Sequence, residues 1–210
     1  MIKILIADDH AIVREGLKQI VSETSDMVVA GEAADGQQVL EFVREDDWDV
    51  ILLDIAMPGR GGMDTLKILK NEKPDLPVLV LSMYPEEQYA VRTLKAGADG
   101  YLTKESAPEE LISAIRKVSQ GGKYVSAALA EKLASFLATD KAKPAHETLA
   151  DREYQVMIMM ASGMNVKHIA DKLSLSVKTI STNRSRIMNK MGMKNNAEII
   201  RYALKHGLVE

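Results

Sequence analysis

The chain has 210 residues, 46% of them apolar and 4% aromatic, with a formal net charge of −3, a size that suits one large domain or two modest ones. It has no cysteine, which excludes disulfides and thiol chemistry. No apolar run approaches the ~20 residues that cross a bilayer, and the first residues, with Lys3 followed by acids, do not read as a signal peptide, so a cytoplasmic protein with no membrane partner is expected.

The net charge hides an asymmetry. Residues 1–140 hold 15 Lys and Arg against 24 Asp and Glu, a net of −9, whereas residues 148–210 hold 10 against 5, a net of +5. Such a split points to two domains, the basic one facing a polyanion.

In the first half, apolar runs at 2–7, 27–31, 50–53, 78–81 and 100–102 predict strands. Helical stripes lie between and after them. Ile12, Leu17, Ile20 and Val21 form the first, and Val39, Leu40 and Val43 the second. Leu66 with Leu69, then Val91 with Leu94, form the next two, and Leu111, Ile112, Ile115 and Val118 the fifth. Asp35-Gly36, Pro58-Gly59, Lys73-Pro74, Gly97 and Gly121-Gly122 punctuate them. Five strands alternating with five helices predict an α/β domain over 1–122, a five-stranded, parallel, doubly wound sheet of the flavodoxin-like kind.

Residues 123–147 are predicted as a linker with one short helix, from Ala127 to Ala138, capped by Ser126. The polar stretch that follows, with Pro144, has no period. Residues 148–210 contain no strand pattern. Helical patterns at 151–162, 166–173, 177–191 and 196–206 predict an all-α, four-helix domain. Gly163 ends the first of these helices, and Ser176 caps the third. Two short helices, a tight turn and a polar, basic second helix describe a helix-turn-helix. In the third helix Ile180, Ile187 and Met191 are expected to face the core, and in the last Ile199, Ile200, Ala203 and Leu204. Met157, Met159, Met160, Met164, Met188, Met191 and Met193 read as adaptable core filler.

The chemistry is carried by strand ends. Val50-Ile51-Leu52-Leu53 runs straight into Asp54, and Ile2 to Ala7 runs into Asp8 and Asp9. Carboxyl ends of strands are where an open α/β sheet gathers its ligands. Carboxylates from two such ends repel unless a cation lies between them. Mg²⁺ takes oxygen ligands, and Asp9, Asp54 and the backbone carbonyl of Ala56 would supply them, with Asp8 acting through water. An aspartate is also a phosphoryl acceptor once the transferring group is neutralised. Ser82 and Lys104, at the ends of the fourth and fifth strands, supply a hydroxyl and a cation for a phosphate. Taken singly, each is an ordinary cap, turn or surface residue; it is their coincidence at four strand ends that points to a site.

The pattern Asp8-Asp9, Asp54, Ser82, Lys104 resembles the receiver domain of bacterial two-component response regulators. The opening Asp8-Asp9-His10 with Val13-Arg14-Glu15-Gly16-Leu17 is similar to the NarL/LuxR-type subgroup. The resemblance implies a phosphoaspartate at Asp54, Mg²⁺ on Asp8, Asp9 and Asp54, Ser82 as switch hydroxyl, Tyr101 as switch aromatic and Lys104 as phosphate-pairing lysine. It implies a sensor histidine kinase as partner. It implies no enzyme activity beyond self-phosphorylation from a phosphodonor and slow self-dephosphorylation. Glu105 stands where many receivers carry proline.

Residues 149–210 resemble the LuxR-type DNA-binding domain, through Leu149 to Val156, Gly163, Ile169 to Leu173, and Ser176 to Ile180. On the recognition helix, base contacts are expected from Lys178, Ser181, Thr182 and Arg184, and phosphate contacts from Lys178, Thr179 and Lys190; Ser185 lies on the same spread of polar positions. Ser181 and Asn183 replace the family's usual Lys and His or Tyr, and Val166 and His168 replace Asn and Glu. One helix-turn-helix reads few base pairs, so a homodimer on double-stranded DNA is expected.

The reading that unites both halves is a transcription factor switched by phosphorylation of Asp54. Two alternatives compete with it: a constitutive DNA-binding regulator whose receiver does not signal, and an aspartate-based phosphohydrolase. The latter class usually wants Asp-x-Asp on its first strand, whereas here the acids are adjacent and the candidate nucleophile lies on the third.

Overall fold

The structure is a computed structural model and describes residues 1–127, 129–131 and 144–209. Contacts divide the chain into two compact units, Met1–Ala134 and Ser135–Glu210. Among the described residues, no helix is long and apolar enough to cross a membrane.

The first unit alternates as predicted. Its strands are β1 (Ile2–Ala7), β2 (Met27–Ala33), β3 (Val50–Asp54), β4 (Val78–Ser82) and β5 (Gly100–Thr103). Its helices are α1 (Ala11–Ser22), α2 (Gly36–Glu45), α3 (Gly62–Glu72), α4 (Glu86–Lys95) and α5 (Pro108–Ser119). All strand pairs are parallel, in the order β2-β1-β3-β4-β5. Every residue of β3 and β4 is buried, as continuous apolar runs require. Ile4, Ile6, Leu52, Leu79 and Leu81 form one cluster with Leu17 and Val21 of α1 and Leu111, Ile115 and Val118 of α5. Alternate strand residues, Leu5, Ile51, Leu53 and Val80, are equally buried on the opposite face. Asp35 caps α2 by accepting from the backbone of Gln37 and Gln38.

Two of the predicted stripes are corrected. Ile12 is 88% exposed; five residues from Leu17, it is turned about 140° away from the core face. On α4 the buried residues are Tyr89, Ala90 and Thr93, while Val91 and Leu94 are half-buried. A polar residue takes the core position there because the Thr93 hydroxyl donates to the Ala90 carbonyl at 2.9 Å.

After α5, Tyr124 bridges to Gly100. Ser126 Oγ accepts from the Leu129 backbone at 3.1 Å, the cap expected of it. The remainder of the predicted linker helix, and the polar stretch up to residue 143, lie outside the described residues.

The second unit opens with a 3-10 turn, Ala145–Thr148, followed by α6 (Asp151–Ala161), α7 (Val166–Lys172), α8 (Val177–Met191) and α9 (Asn196–Lys205). Every residue of α6 from Glu153 onward is buried, and α7, α8 and α9 pack around it. Ile169, Leu173, Ile180, Ile187, Ile199 and Ala203 complete the core. Met157, Met159 and Met160 are buried, whereas Met164, Met188, Met191 and Met193 are half-buried. Leu204, expected in the core, is 52% exposed, and Asn183 is buried instead between the turns carrying Ile180 and Ile187. Residues 145–147, read from sequence as linker, fold back here: His146 Nδ1 lies 2.9 Å from the Tyr202 hydroxyl on α9.

Candidate functional site

The parallel sheet brings four strand ends to one place. Asp8 follows β1, Asp54 ends β3, Ser82 ends β4 and Lys104 follows β5. Pairing of Ser82 with Thr103 and a 2.8 Å bond from the Lys104 backbone to the Ser82 carbonyl align the last two. Asp8 and Asp54 are each 1% exposed, and Ser82 is fully buried. Lys104 Nζ donates to Asp54 Oδ2 at 2.8 Å. It also forms an ion pair with Asp8 Oδ2 at 2.5 Å. The other Asp54 oxygen, Oδ1, accepts from the Ala56 backbone at 2.9 Å. Glycine at position 62 is needed for this packing: a Cβ there would come within 2.0 Å of the Asp54 carbonyl oxygen.

Electrostatics follow from burial. Desolvation pushes the Asp54 carboxyl above the ordinary carboxylate value, against the pull of Lys104. Desolvation also works to discharge Lys104, but Asp54 and Asp8 hold it above the ordinary lysine value. One lysine thus pairs with two buried carboxylates while a third, that of Asp9, lies close by, and the pocket is short of positive charge. Asp8 Oδ2 and Asp9 Oδ1 are buried and accept no hydrogen bond. Ligand atoms of Asp8, Asp9, His10 and Asp54 all lie within 4.8 Å of one another. Carboxylate oxygens gathered this closely, with one lysine among them, fit a bound dication.

Ser82 Oγ accepts from the Tyr84 backbone at 3.1 Å. Tyr101 is fully buried and donates its hydroxyl to the Tyr84 carbonyl at 2.7 Å, so both side chains meet the loop after β4. Burial raises the Tyr101 phenol well above its ordinary value, and it stays protonated. Glu105 follows Lys104 with no cis peptide bond among the described residues.

Arg14 was part of the sequence motif, but its role was missed. Its guanidinium donates to the Asp8 carbonyl at 2.8 Å and to Glu32 Oε2 at 3.0 Å, which steadies the loop carrying Asp8 and Asp9. No spacing rule connects Arg14 to a backbone carbonyl six residues earlier.

In the second unit, Ser176 caps α8 by accepting from the Thr179 backbone at 3.0 Å. Lys178, Thr179, Ser181, Thr182 and Ser185 are exposed along that helix. Thr182 and Ser185 hydroxyls donate back to the carbonyls of Lys178 and Ser181, at 3.0 and 3.1 Å, and keep their lone pairs outward. Two residues from the sequence list are occupied. Arg184 Nε donates to Asn196 Oδ1 at 2.9 Å. Lys190 Nζ donates to the buried Glu153 Oε2 at 2.6 Å. The buried Glu153 carboxylate also accepts from the Ala150 backbone at 2.9 Å; burial alone would raise its pKa, but Lys190 brings it below the ordinary value.

Comparison with known proteins separates the same two regions. A family described as "Response regulator receiver domain" matches residues 4–116, and one described as "Bacterial regulatory proteins, luxR family" matches residues 147–203. The chain is 38% identical to the response regulator GacA of Pseudomonas aeruginosa, over 100% of this chain and 99% of that protein. It is 34% identical to the response regulator UvrY of Escherichia coli, over 99% and 96%. A solved structure of RcsB from Salmonella enterica serovar Typhimurium, bound to promoter rprA in the presence of the phosphomimetic BeF3⁻, is similar with a TM-score of 0.65 and 28% identity, over 96% of this chain and 98% of that one.

Proposed function

The chain belongs to the response regulators that carry a LuxR-type domain, and from that premise we propose that a sensor histidine kinase phosphorylates Asp54 to switch the binding of double-stranded DNA. The observation that carries this reading is the single buried lysine shared by Asp54 and Asp8 at the ends of β1, β3 and β5. In the transfer, an Asp54 carboxylate oxygen bonds to phosphorus as the phosphorus–nitrogen bond to the donor histidine breaks. The leaving electron pair stays on the imidazole nitrogen, which takes a proton. Lys104 is placed to pair with the incoming phosphoryl oxygens and to stop Asp54 and Asp8 repelling each other.

Mg²⁺ held by Asp8, Asp9, Asp54 and the Ala56 carbonyl would neutralise charge on the transferring group. Ser82 then gives its hydroxyl to the phosphoryl group instead of holding the Tyr84 backbone. Tyr101, bonded to the Tyr84 carbonyl, follows that loop. The change ends in a homodimer reading paired half-sites, with residues 1–122 as receiver, 123–147 as linker and 148–210 as DNA-binding domain. Base contacts come from Lys178, Ser181, Thr182 and, on leaving Asn196, Arg184; phosphate contacts come from Lys178, Thr179 and, on leaving Glu153, Lys190, with Ser185 on the same spread of polar positions. The setting is the cytoplasm, where such DNA is found.

The test is operator binding, on a sequence selected from random DNA, with and without acetyl phosphate and Mg²⁺. The donor strengthens binding by the unmodified chain and not by Asp54→Asn. An equal response in both overturns the assignment.

A further inference from the structure

The chain is fastened to the receiver again after α5. Lys123 Nζ donates to Asp99 Oδ1 at 2.6 Å. The Tyr124 backbone donates to the Asp99 carbonyl at 2.8 Å, beside the bridge to Gly100, and the Tyr124 hydroxyl donates to Glu110 Oε1 of α5 at 2.9 Å. Ser126 Oγ then donates to Glu86 Oε2 at 2.5 Å while accepting from the Leu129 backbone at 3.1 Å. One hydroxyl thus caps the turn that opens the linker, in which the Ala130 N–H also bonds the Ser126 carbonyl, and ties that turn to the first residue of α4.

These fastenings differ in what they rest on. Asp99 and Gly100 lie at the amino end of β5, on the sheet edge opposite the pocket, and Glu110 belongs to α5. Glu86 instead follows directly on the loop 83–85, whose backbone is held at Tyr84 by Ser82 and Tyr101. The Tyr84 ring stacks on Tyr89 of α4, with centroids 4.8 Å apart, which couples the loop to the first turn of that helix. When Ser82 gives its hydroxyl to a phosphoryl group, the Tyr84 N–H loses its acceptor and the loop is released. Of the fastenings at 123–126, the one to Glu86 is carried by the part that then moves.

We propose that the Ser126–Glu86 hydrogen bond is the contact through which the switch reaches the linker. It holds the first turn of the linker against α4 while Asp54 is unmodified, and it parts when the loop 83–85 shifts, which lifts a restraint on the attached DNA-binding unit. Lys123 and Tyr124 stay fastened in both states and keep the root of the linker in place. This rests on Asp54 being the switch and names the residue pair that passes its state on.

The experiment measures operator affinity of full-length variants without phosphodonor, with labelling of Asp54 by acetyl phosphate scored separately. Ser126→Asp keeps a capping acceptor for the Leu129 N–H but sets a carboxylate against Glu86. Glu86→Ala removes the acceptor. Both are expected to bind donor-free about fivefold more tightly than the unmodified chain, and to gain correspondingly less from the donor, while Asp54 is labelled at an unchanged rate. Glu86→Gln, whose amide oxygen still accepts from Ser126, stays near the unmodified chain. Ser126→Asp combined with Glu86→Lys restores an attractive pair and brings the affinity back towards the unmodified value. Donor-free affinity that stays or falls in both Ser126→Asp and Glu86→Ala overturns the proposal, and so does a double variant that binds as tightly as Ser126→Asp. If the variants shift as expected but Asp54 takes no phosphoryl group, the switch reading fails and the restraint on the linker stands. If Asp54 is labelled and the donor acts in full on Glu86→Ala, the switch stands and the Ser126–Glu86 contact is not its output.

Discussion

In the receiver unit the charges that matter are out of water: Asp8 and Asp54 are 1% exposed, and the Lys104 side chain that joins them is 6% exposed. In the second unit the residues proposed to meet DNA are exposed, apart from the half-buried Arg184, and the buried charge, Glu153, is tied to Lys190 and to the Ala150 backbone. The difference separates two uses of electrostatics. Burial makes a few charges strong and unscreened, which suits the chemistry of one phosphoryl group. Exposure leaves many charges weak and salt-sensitive, which suits a long polyanion.

The largest expected break in that comparison is Lys104→Ala. Two buried carboxylates then face each other without a counter-charge, and phosphorylation from acetyl phosphate slows on the order of 10²-fold. The labelled fraction measured over time checks this, and a rate near that of the unmodified chain removes Lys104 from the mechanism. Glu153→Ala comes next. The Ala150 N–H loses its acceptor, and the second unit loses about 1–3 kcal/mol. Its thermal transition moves down while phosphorylation of Asp54 keeps its rate; a slower rate would mean that the chemistry at Asp54 depends on the stability of the second unit.

A smaller effect is read in acid. Asp99 accepts from Lys70 at 2.7 Å, Lys123 at 2.6 Å and the Val78 backbone at 2.8 Å. Burial raises its carboxyl, but Lys123 and Lys70 more than offset this, and it titrates below the ordinary value. A depressed folded value gives stability that is present above the unfolded value and lost as pH falls through the folded one. The receiver therefore weakens below about pH 4, and Asp99→Asn, less stable at neutral pH, shows a flatter acid limb in denaturant titrations. Smallest is Lys178→Ala, which weakens binding across DNA sequences and lowers the log–log salt slope by about 1. An unchanged slope removes Lys178 from the phosphate contacts.

Much of this was legible in the sequence where one physical rule dominated. β3 and β4 announce themselves because strands buried on both faces tolerate little but apolar residues. Asp54, Asp8, Ser82 and Lys104 could be picked out because a parallel sheet sends all its strand ends to one edge. What stayed hidden depended on partners far along the chain. Thr93 takes a core place on α4 by bonding its own helix, so an apolar count favoured Val91 and Leu94. Leu204 looked like core, but Ile199 and Ala203 already fill the contact face of α9. Lys190 read as a free cation because Glu153, 37 residues earlier, gives no local signal of their pairing. Arg14 and His10 stood in the recognised motif, but only three-dimensional distances show what each one faces.

The central claim is most directly tested by locating the modification. The intact chain is treated with acetyl phosphate and Mg²⁺, reduced with borohydride to trap any acyl phosphate, and mapped by peptide mass spectrometry. The account predicts one trapped site, at Asp54, and none in Asp54→Asn. Label at Asp8 or Asp9 in place of Asp54, or no label under conditions where the operator is still bound more tightly, would contradict it.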